Sequence, residues 1–538
     1  MKKLVLILAL AGSGCYIAGP DADAQGFNSS SPTVVRGVRP DGSTMPLQLS
    51  QDGSVLTEAG ATTRAAFGET LVVEPYPVLQ IAATYGLRDT DVETFSATGG
   101  SVGTTDYMFH CQSGTSLGGY GVIRSKRALH YRPGQGALAR FTAMFDTPVA
   151  LSTQRAGLFT SQDSLAFGYD GTSFGVLRAE GGKLEIQTLT ITGAASGGEN
   201  ATITLDGTAQ AACALTSGTV QHNAAEVAEC TFTGWNAYAN DDDVIFVATD
   251  ASAKAGAFTF SSGTATGTFA EDVNGAAVTN TWTAQADWNV DAMDGTGPSG
   301  MTLDHDTLNV YQIAFQYLGA GAIQYSIEDP ETGDFQLVHR INYPNSLTSP
   351  SLGNPTMPLG WTAASLGSTG TNLQVYGASA AGFVEGPFVP MRAGRSFVST
   401  ENVGTTLEPV LSIRNRAAFN DEINQEELYP AFITVGVDAT GNKPAVIEVF
   451  FGADVTGSAQ PDWTYIDETG SVAEYDETAT AITGGDRIDG CAASAGGGCE
   501  IDLTRFRERL ERGEWLTIAA KFSSGSGDIT AAVTWYED

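Results

Sequence analysis

LNVYQIAFQYLGAGAIQYSIEDPETGDFQLVHRINYPN, residues 308–345, is the longest unbroken strand signal in the chain. In its first arm Tyr311, Ile313, Phe315 and Tyr317 take one side of a period-two ribbon, and Gln312, Ala314 and Gln316 take the other. That alternation reads as a half-buried strand. Gly319-Ala320-Gly321 breaks the run, Ile323, Tyr325 and Ile327 resume it, and the polar residues 328–333 turn the chain into a third arm bearing Phe335, Leu337, Ile341 and Tyr343. An antiparallel meander with one apolar face needs a second sheet to cover it. The expected fold class is therefore all-β, built from β-sandwich domains of jelly-roll or concanavalin-like type.

At 538 residues the chain exceeds one core and implies several domains. Gly 64 against Lys+Arg 27 describes short strands joined by tight turns, with helix under about 15%. The net charge of −34 argues against nucleic acid as a partner, because no basic surface large enough to neutralise a row of phosphates is present. Only seven of the 27 basic residues are lysine, a surface chemistry that suits salty water.

Residues 1–24 open with two lysines and an apolar run too short to span a bilayer, the form of a secretory signal with a small-x-small cleavage site at Ala22-Asp23-Ala24. Cys15 offers a lipoprotein alternative, although Gly12 stands where an acylation signal has leucine. Residues 25–66 read as an attachment or linker segment with strand signals around Asp41-Gly42 and Asp52-Gly53. Residues 67–390 read as a first sandwich, with a hairpin turning at Asp170-Gly171. Within it, residues 198–286 read as an inserted ββαββ module with a hairpin at Asp206-Gly207 and a helix over AAEVAEC. The strands of 308–343 then need partners from before residue 191.

Residues 397–538 start a second sandwich with PVLSIRN (409–415), AFITVGVD (431–438) and AVIEVFFG (445–452). In its last strand Ile529, Ala531, Val533 and Trp535 share one face, which ties the C-terminus into a sheet. A helix is expected at 503–512, with Leu503, Phe506 and Leu510 on one side and Gly513 at its end.

Catalytic patterns are scarce. The chain has no HExxH or phosphate loop, and no strong strand carries the two carboxylates spaced by two that a sandwich glycosidase uses, so no enzymatic activity is expected. His339 shares a face with Leu337 and Ile341 and reads as a core histidine. Arg124, Lys126, Arg127, Arg132 and Arg140 read as a solvated sheet edge, with an acidic partner as the alternative. Asp287, Asn289, Asp291, Asp294, Asp304 and Asp306 place oxygens around a Gly-rich loop that could hold Ca2+. Ala292 stands where a helix-loop-helix calcium site has its turn glycine, and solvated loop acids are the alternative. No other cofactor is implied. Cys213 with Cys230 and Cys491 with Cys499 are expected to form disulfides in an oxidising compartment, and Cys111 to be a small buried hydrophobe.

Two segments carry a resemblance. YQIAFQYLGAGAIQYSIEDPETGDFQLVHRINYPN with PSLGNPTMPLGW and GASAAGFVEG is one, and the tail from EPVLSIRN through LTIAAKFSSGSGDITAAVTWYED is the other. They resemble virion structural proteins of tailed bacteriophages and of some large double-stranded DNA viruses. The inserted module, with TITLDGTAQ and VIFVATDASAKAG, is similar to small domains of phage tail and baseplate components. No functional residues carry over from the resemblance, but together with stacked sandwiches on a polar N-terminal attachment segment and an acidic, lysine-poor surface it favours an exposed virion protein, a tail appendage or surface decoration, with other virion proteins as partners and a homo-oligomer expected. Contact with a host cell-surface glycan or protein is then expected through sandwich loops, with Trp361, Tyr376 and the 292–306 loop stacking on or hydrogen-bonding the ligand. The signal-like N-terminus departs from the pattern and keeps a secreted or surface-anchored bacterial adhesive protein as the alternative.

Overall fold

The structure, a computed structural model, describes residues 36–38, 44–46, 75–386, 393–419, 422–424, 426–439, 443–456, 462–504 and 509–537. The chain forms two compact units, Met1–Thr63 and Arg64–Asp538. In the first, Arg36–Val38 pairs antiparallel with Thr44–Pro46. The signal-like segment 1–24 and the remainder of the linker lie outside the described residues.

The second unit is almost wholly antiparallel β-structure. Its only α-helix among the described residues is Val220–Ala228, capped by Thr219, whose side chain accepts from the His222 N–H. The first sandwich has a seven-stranded sheet and a nine-stranded sheet. In the larger sheet Asn309–Phe315 lies between Ile323–Glu328 and Ala137–Phe145, with Tyr311 opposite Phe141, so the meander finds its partner from before residue 191. Tyr311, Ile313, Phe315, Tyr325 and Ile327 are buried in the core together with Phe141 and Phe145 of the neighbouring strand and Phe167 of the facing sheet. The Tyr311 and Phe167 rings lie 4.8 Å apart, an offset contact between sheets. Two core polar groups also bridge the sheets. The Tyr325 hydroxyl donates to the Leu177 carbonyl at 2.9 Å and the Trp361 indole N–H to the Thr142 carbonyl at 2.9 Å.

The third arm departs from simple alternation. A bulge opposite Tyr325 and Ser326 adds a residue to Phe335–Ile341, which buries Val338 and leaves Leu337 half-exposed. His339 remains on the core side, paired with Tyr325 and buried.

The first sandwich is interrupted between Ser173–Glu180 and Thr279–Ala284, which pair with each other in the seven-stranded sheet. The module therefore begins and ends earlier than the expected 198–286. Ile186–Gly193 leaves the first sandwich to pair with Asp243–Ala248 and Thr266–Val273, whereas Thr279–Ala284 returns to it. The module holds two four-stranded sheets and the helix around its own core of Leu189, Ile203, Leu205, Leu215, Val227 and Phe246. It is richer in strands than ββαββ, with eight strands, four to each sheet, flanking the helix. The Cys213–Cys230 disulfide joins the strand Cys213–Leu215 to the residue beyond the helix C-cap.

The C-terminal sandwich pairs a four-stranded sheet with a six-stranded one. Ile529, Ala531, Val533 and Trp535 of the last strand are all buried on one face, as the alternation requires. Cys491 and Cys499 form the second disulfide, and it links the edge strand Asp486–Ala493 of one sheet to Gly498–Asp502 of the other. Of the expected helix at 503–512, residues 505–508 lie outside the described residues. Leu510 is buried and bridges Leu428 in antiparallel fashion.

Candidate functional site

The residues expected to touch a glycan do not form a site. Trp361 is wholly buried, and its indole lies so close over Gly377 that a Cβ there would fall 2.1 Å from the ring. Its strand Met357–Ser365 is an interior strand of the seven-stranded sheet, so the side chain on the core face cannot reach solvent. Tyr376 is half-buried with its hydroxyl donating to Gln374 at 2.9 Å, and its ring is 6.2 Å from that of His110.

The acidic loop is also differently employed. Asp291 is buried and its carboxylate accepts from the N–H groups of Met293 and Ser299, both at 2.8 Å. Asp294 accepts from Thr296, Asp304 from the Asp306 N–H, and the Asn289 side chain pairs with the Arg340 backbone. Asp287 ends a 3-10 turn. These groups hold turns apart from one another, and no cluster of three His, Cys, Asp or Glu among the described residues could hold a metal ion. The expected Ca2+ cluster is not formed: the carboxylates of Asp291, Asp294 and Asp304 are taken up by their own turns.

The basic cluster is not a solvated edge either. Arg124 pairs with Glu93, Arg132 is buried, and Arg140 donates to Gln312 at 2.8 Å beneath the Phe335 ring. Lys126 reaches Glu514 of the C-terminal sandwich at 2.9 Å. Lys126 meets the C-terminal sandwich, whereas Arg124 and Arg140 find partners within the first, on its seven- and nine-stranded sheets. Cys111 is buried, its thiol against the Trp361 carbonyl, and burial pushes that thiol well above the usual range.

A recess that binding chemistry could use lies where the inserted module meets the C-terminal sandwich. It is a cleft of about 590 Å³ lined by Tyr238, Trp463 and Trp515, by Glu229 and Asp454, and by Thr456 and Thr483. Its aromatic wall is built from three segments. The Trp463 and Trp515 rings are 6.4 Å apart at 58°, and the Trp515 indole N–H is fixed to the Ala453 carbonyl at 2.8 Å. Tyr238 lies on Gly513, where a Cβ would stand 2.7 Å from the ring, and Gly513 holds φ +78. Glycine is needed there on both counts.

Behind the aromatics Arg414 is buried, its guanidinium 4.3 Å from the Trp463 ring centre. It binds Glu474 at 2.6 Å and donates to the Ala239 carbonyl of the module, while Asn240 donates to the other Glu474 oxygen at 2.8 Å. On the module side, burial and then the neighbouring carboxylates of Glu226 and Asp454 raise the Glu229 carboxyl above its ordinary value. Flat aromatic faces beside hydrogen-bonding carboxylates and hydroxyls are a chemistry suited to a sugar ring. Sequence reading missed this site because its walls come from segments around 229–239, 454–463 and 513–515, and none carries a motif of its own.

No family model matches the chain, and no curated protein does. Among solved structures it is similar to a chain of the Sulfolobus Turreted Icosahedral Virus, at 8% identity over 86% of this chain and 98% of that one, with a TM-score of 0.14. It is also similar to a chain of T=1 particles derived from Infectious Bursal Virus, at 10% identity over 75% of this chain and 78% of that one, with a TM-score of 0.11. Both neighbours are virus-particle proteins; likenesses at that level define no common fold. Among the described residues no helix is long and apolar enough to cross a membrane.

Proposed function

We propose that the chain is an exposed structural protein of a virion, a tail appendage or surface decoration, which contacts a host-surface glycan through the cleft between the inserted module and the C-terminal sandwich. The observation that carries the glycan contact is the half-buried pair Tyr238 and Trp515, backed by the buried Trp463, beside Glu229 and Asp454 in one recess. The virion setting rests on the sequence segments that resemble virion components and on stacked sandwiches with an acidic surface that resists non-specific adhesion. The role is binding without hydrolysis.

The test has two parts. Purified particles should contain the protein in fixed stoichiometry, with serum against it blocking adsorption, and host-envelope polysaccharide should retain the wild-type chain but release Trp515→Ala about tenfold more readily. If adsorption and retention are both untouched, the glycan reading fails and a purely structural role stands. Release of reducing sugar that disappears in Glu229→Gln or Asp454→Asn would instead make the cleft an active site.

The second reading is a secreted or surface-anchored bacterial adhesive protein, favoured by the signal-like residues 1–24. Mass spectrometry that finds the native protein starting near Gln25 in a culture free of particles would decide for it.

A further inference from the structure

One end of the first sandwich carries three leucines in solvent. Leu117, Leu151 and Leu366 are 66%, 63% and 55% exposed and belong to three different loops. Backbone bonds set them side by side. The Leu366 N–H donates to the Leu151 carbonyl at 2.8 Å, and the N–H of Gly118, next to Leu117, donates to the Ser365 carbonyl at 3.0 Å. Leu151 lies across Gly367, where an added Cβ would meet its side chain at 2.8 Å. The loops are stapled together. The Gly114 N–H donates to the Asn372 side chain at 2.7 Å, the Leu373 N–H to the Ser113 hydroxyl at 3.0 Å, and the Ser365 hydroxyl to the Gly114 carbonyl at 3.2 Å.

Two features separate this tip from scattered surface leucines. Leu151 holds φ +59, a left-handed backbone that favours Gly or Asn, so a large apolar side chain is kept in solvent at a conformational cost. Residues 113–120, 147–154 and 361–374 also contain no Asp, Glu, Lys or Arg, in a chain that carries 27 basic and 61 acidic residues. Acids neighbour these loops: Asp146, whose carboxylate accepts from the Gln374 N–H; Asp170, of the hairpin whose Gly171 N–H donates to the Ser152 carbonyl; and Asp304 and Asp306, around His305, whose carbonyl accepts from Phe145.

We infer that this three-leucine tip inserts into the interfacial region of a lipid bilayer with zwitterionic headgroups. A second copy is a poor occupant. Two chains of net charge −34 repel, and three leucines a side fall short of the roughly 1,000 Å² of buried surface a stable protein pair needs. A bilayer asks less. A rigid apolar point needs only to pass the headgroups, and an uncharged tip reaches them without bringing a carboxylate along. The flanking acids would face the outward ammonium of phosphatidylcholine and be repelled by an anionic surface.

The experiment is flotation of the full chain with phosphatidylcholine vesicles. The wild type should float with these vesicles and bind phosphatidylglycerol vesicles more weakly. Leu117→Ser, Leu151→Ser and Leu366→Ser combined should reduce bound protein at least about tenfold with an unchanged circular dichroism spectrum. Leu318→Ser and Val398→Ser, exposed apolar positions outside these loops, should leave it unaltered. If the triple variant misfolds, Leu117→Asp alone carries the test and should also abolish flotation. Absence of flotation by the wild type, equal flotation by the tip variants, or tip-dependent self-association without flotation would each overturn the inference.

Discussion

Arg414 and Glu474 form an ion pair at 2.6 Å, with side chains only 8% and 1% exposed, in the seam between the inserted module and the C-terminal sandwich. The strands Glu408–Asn415 and Ala473–Asp476 set the two side chains opposite one another, and module groups satisfy the remaining atoms: the Ala239 carbonyl on Arg414 and the Asn240 amide on Glu474. Removing one partner strands the other charge in a dry seam. Arg414→Ala should therefore lose about 3–5 kcal/mol in chemical denaturation, while Arg414→Met with Glu474→Leu should lose less than either single change.

Trp361 and Trp515 separate stability from recognition. Trp361→Ala removes a buried indole, its bond to Thr142 and its packing on Gly377, so about 3–5 kcal/mol of stability should go. Glycan retention at a temperature where the variant stays folded should not change. Trp515 should behave in the opposite sense, with the larger effect on retention, and equal effects of both variants on retention would contradict the placement of the cleft.

The parts of the fold legible in the sequence are those where face and neighbour follow from local period. Ile529, Ala531, Val533 and Trp535 needed only alternation to be placed in a core, and Asp170-Gly171 only its turn chemistry. The bulge that buries Val338 was not legible, because a single extra residue in a ladder shows only against its partner strand. Nor was the start of the module. Ile186–Gly193 is as apolar as a first-sandwich strand, and its pairing with Asp243–Ala248 decides its sheet. Trp361 was misassigned for a related reason: an aromatic after a Pro- and Gly-rich stretch reads as a loop, but its residues 357–365 form an interior strand of a sheet. The cleft was illegible because only tertiary packing brings Tyr238, Trp463 and Trp515 together.

Leu151 offers a stability gain independent of any ligand. At φ +59 with an exposed side chain, Leu151→Asn should relieve backbone strain without losing core contacts. The gain expected in thermal or denaturant unfolding is up to about 1 kcal/mol, and the same change should weaken vesicle flotation. Leu366→Asn, at a position without positive φ, should weaken flotation with no gain in stability.

The seam between the two sandwiches should make stability depend on pH through Glu511. Burial, then the Glu427 and Glu514 carboxylates, push this carboxyl from the ordinary 4.5 to about 7, against the opposing pull of Arg509 at 3.0 Å and of Arg127. Because the folded value lies above the unfolded one, the folded chain holds a proton that the unfolded chain releases between about 4.5 and about 7. The contribution is therefore fully present below 4.5 and declines as pH rises, until it is gone above about 7. Glu427 runs the other way: the Arg509 guanidinium and the Tyr429 hydroxyl lower its carboxyl despite burial, so its contribution is present at neutral pH and lost on acidification. Glu511→Gln isolates the first effect. Relative to wild type it should gain on the order of 1–2 kcal/mol at pH 8 and nothing at pH 4.5 in denaturant titrations. A difference that does not change between those two values would show that Glu511 titrates at its ordinary pH in the folded chain.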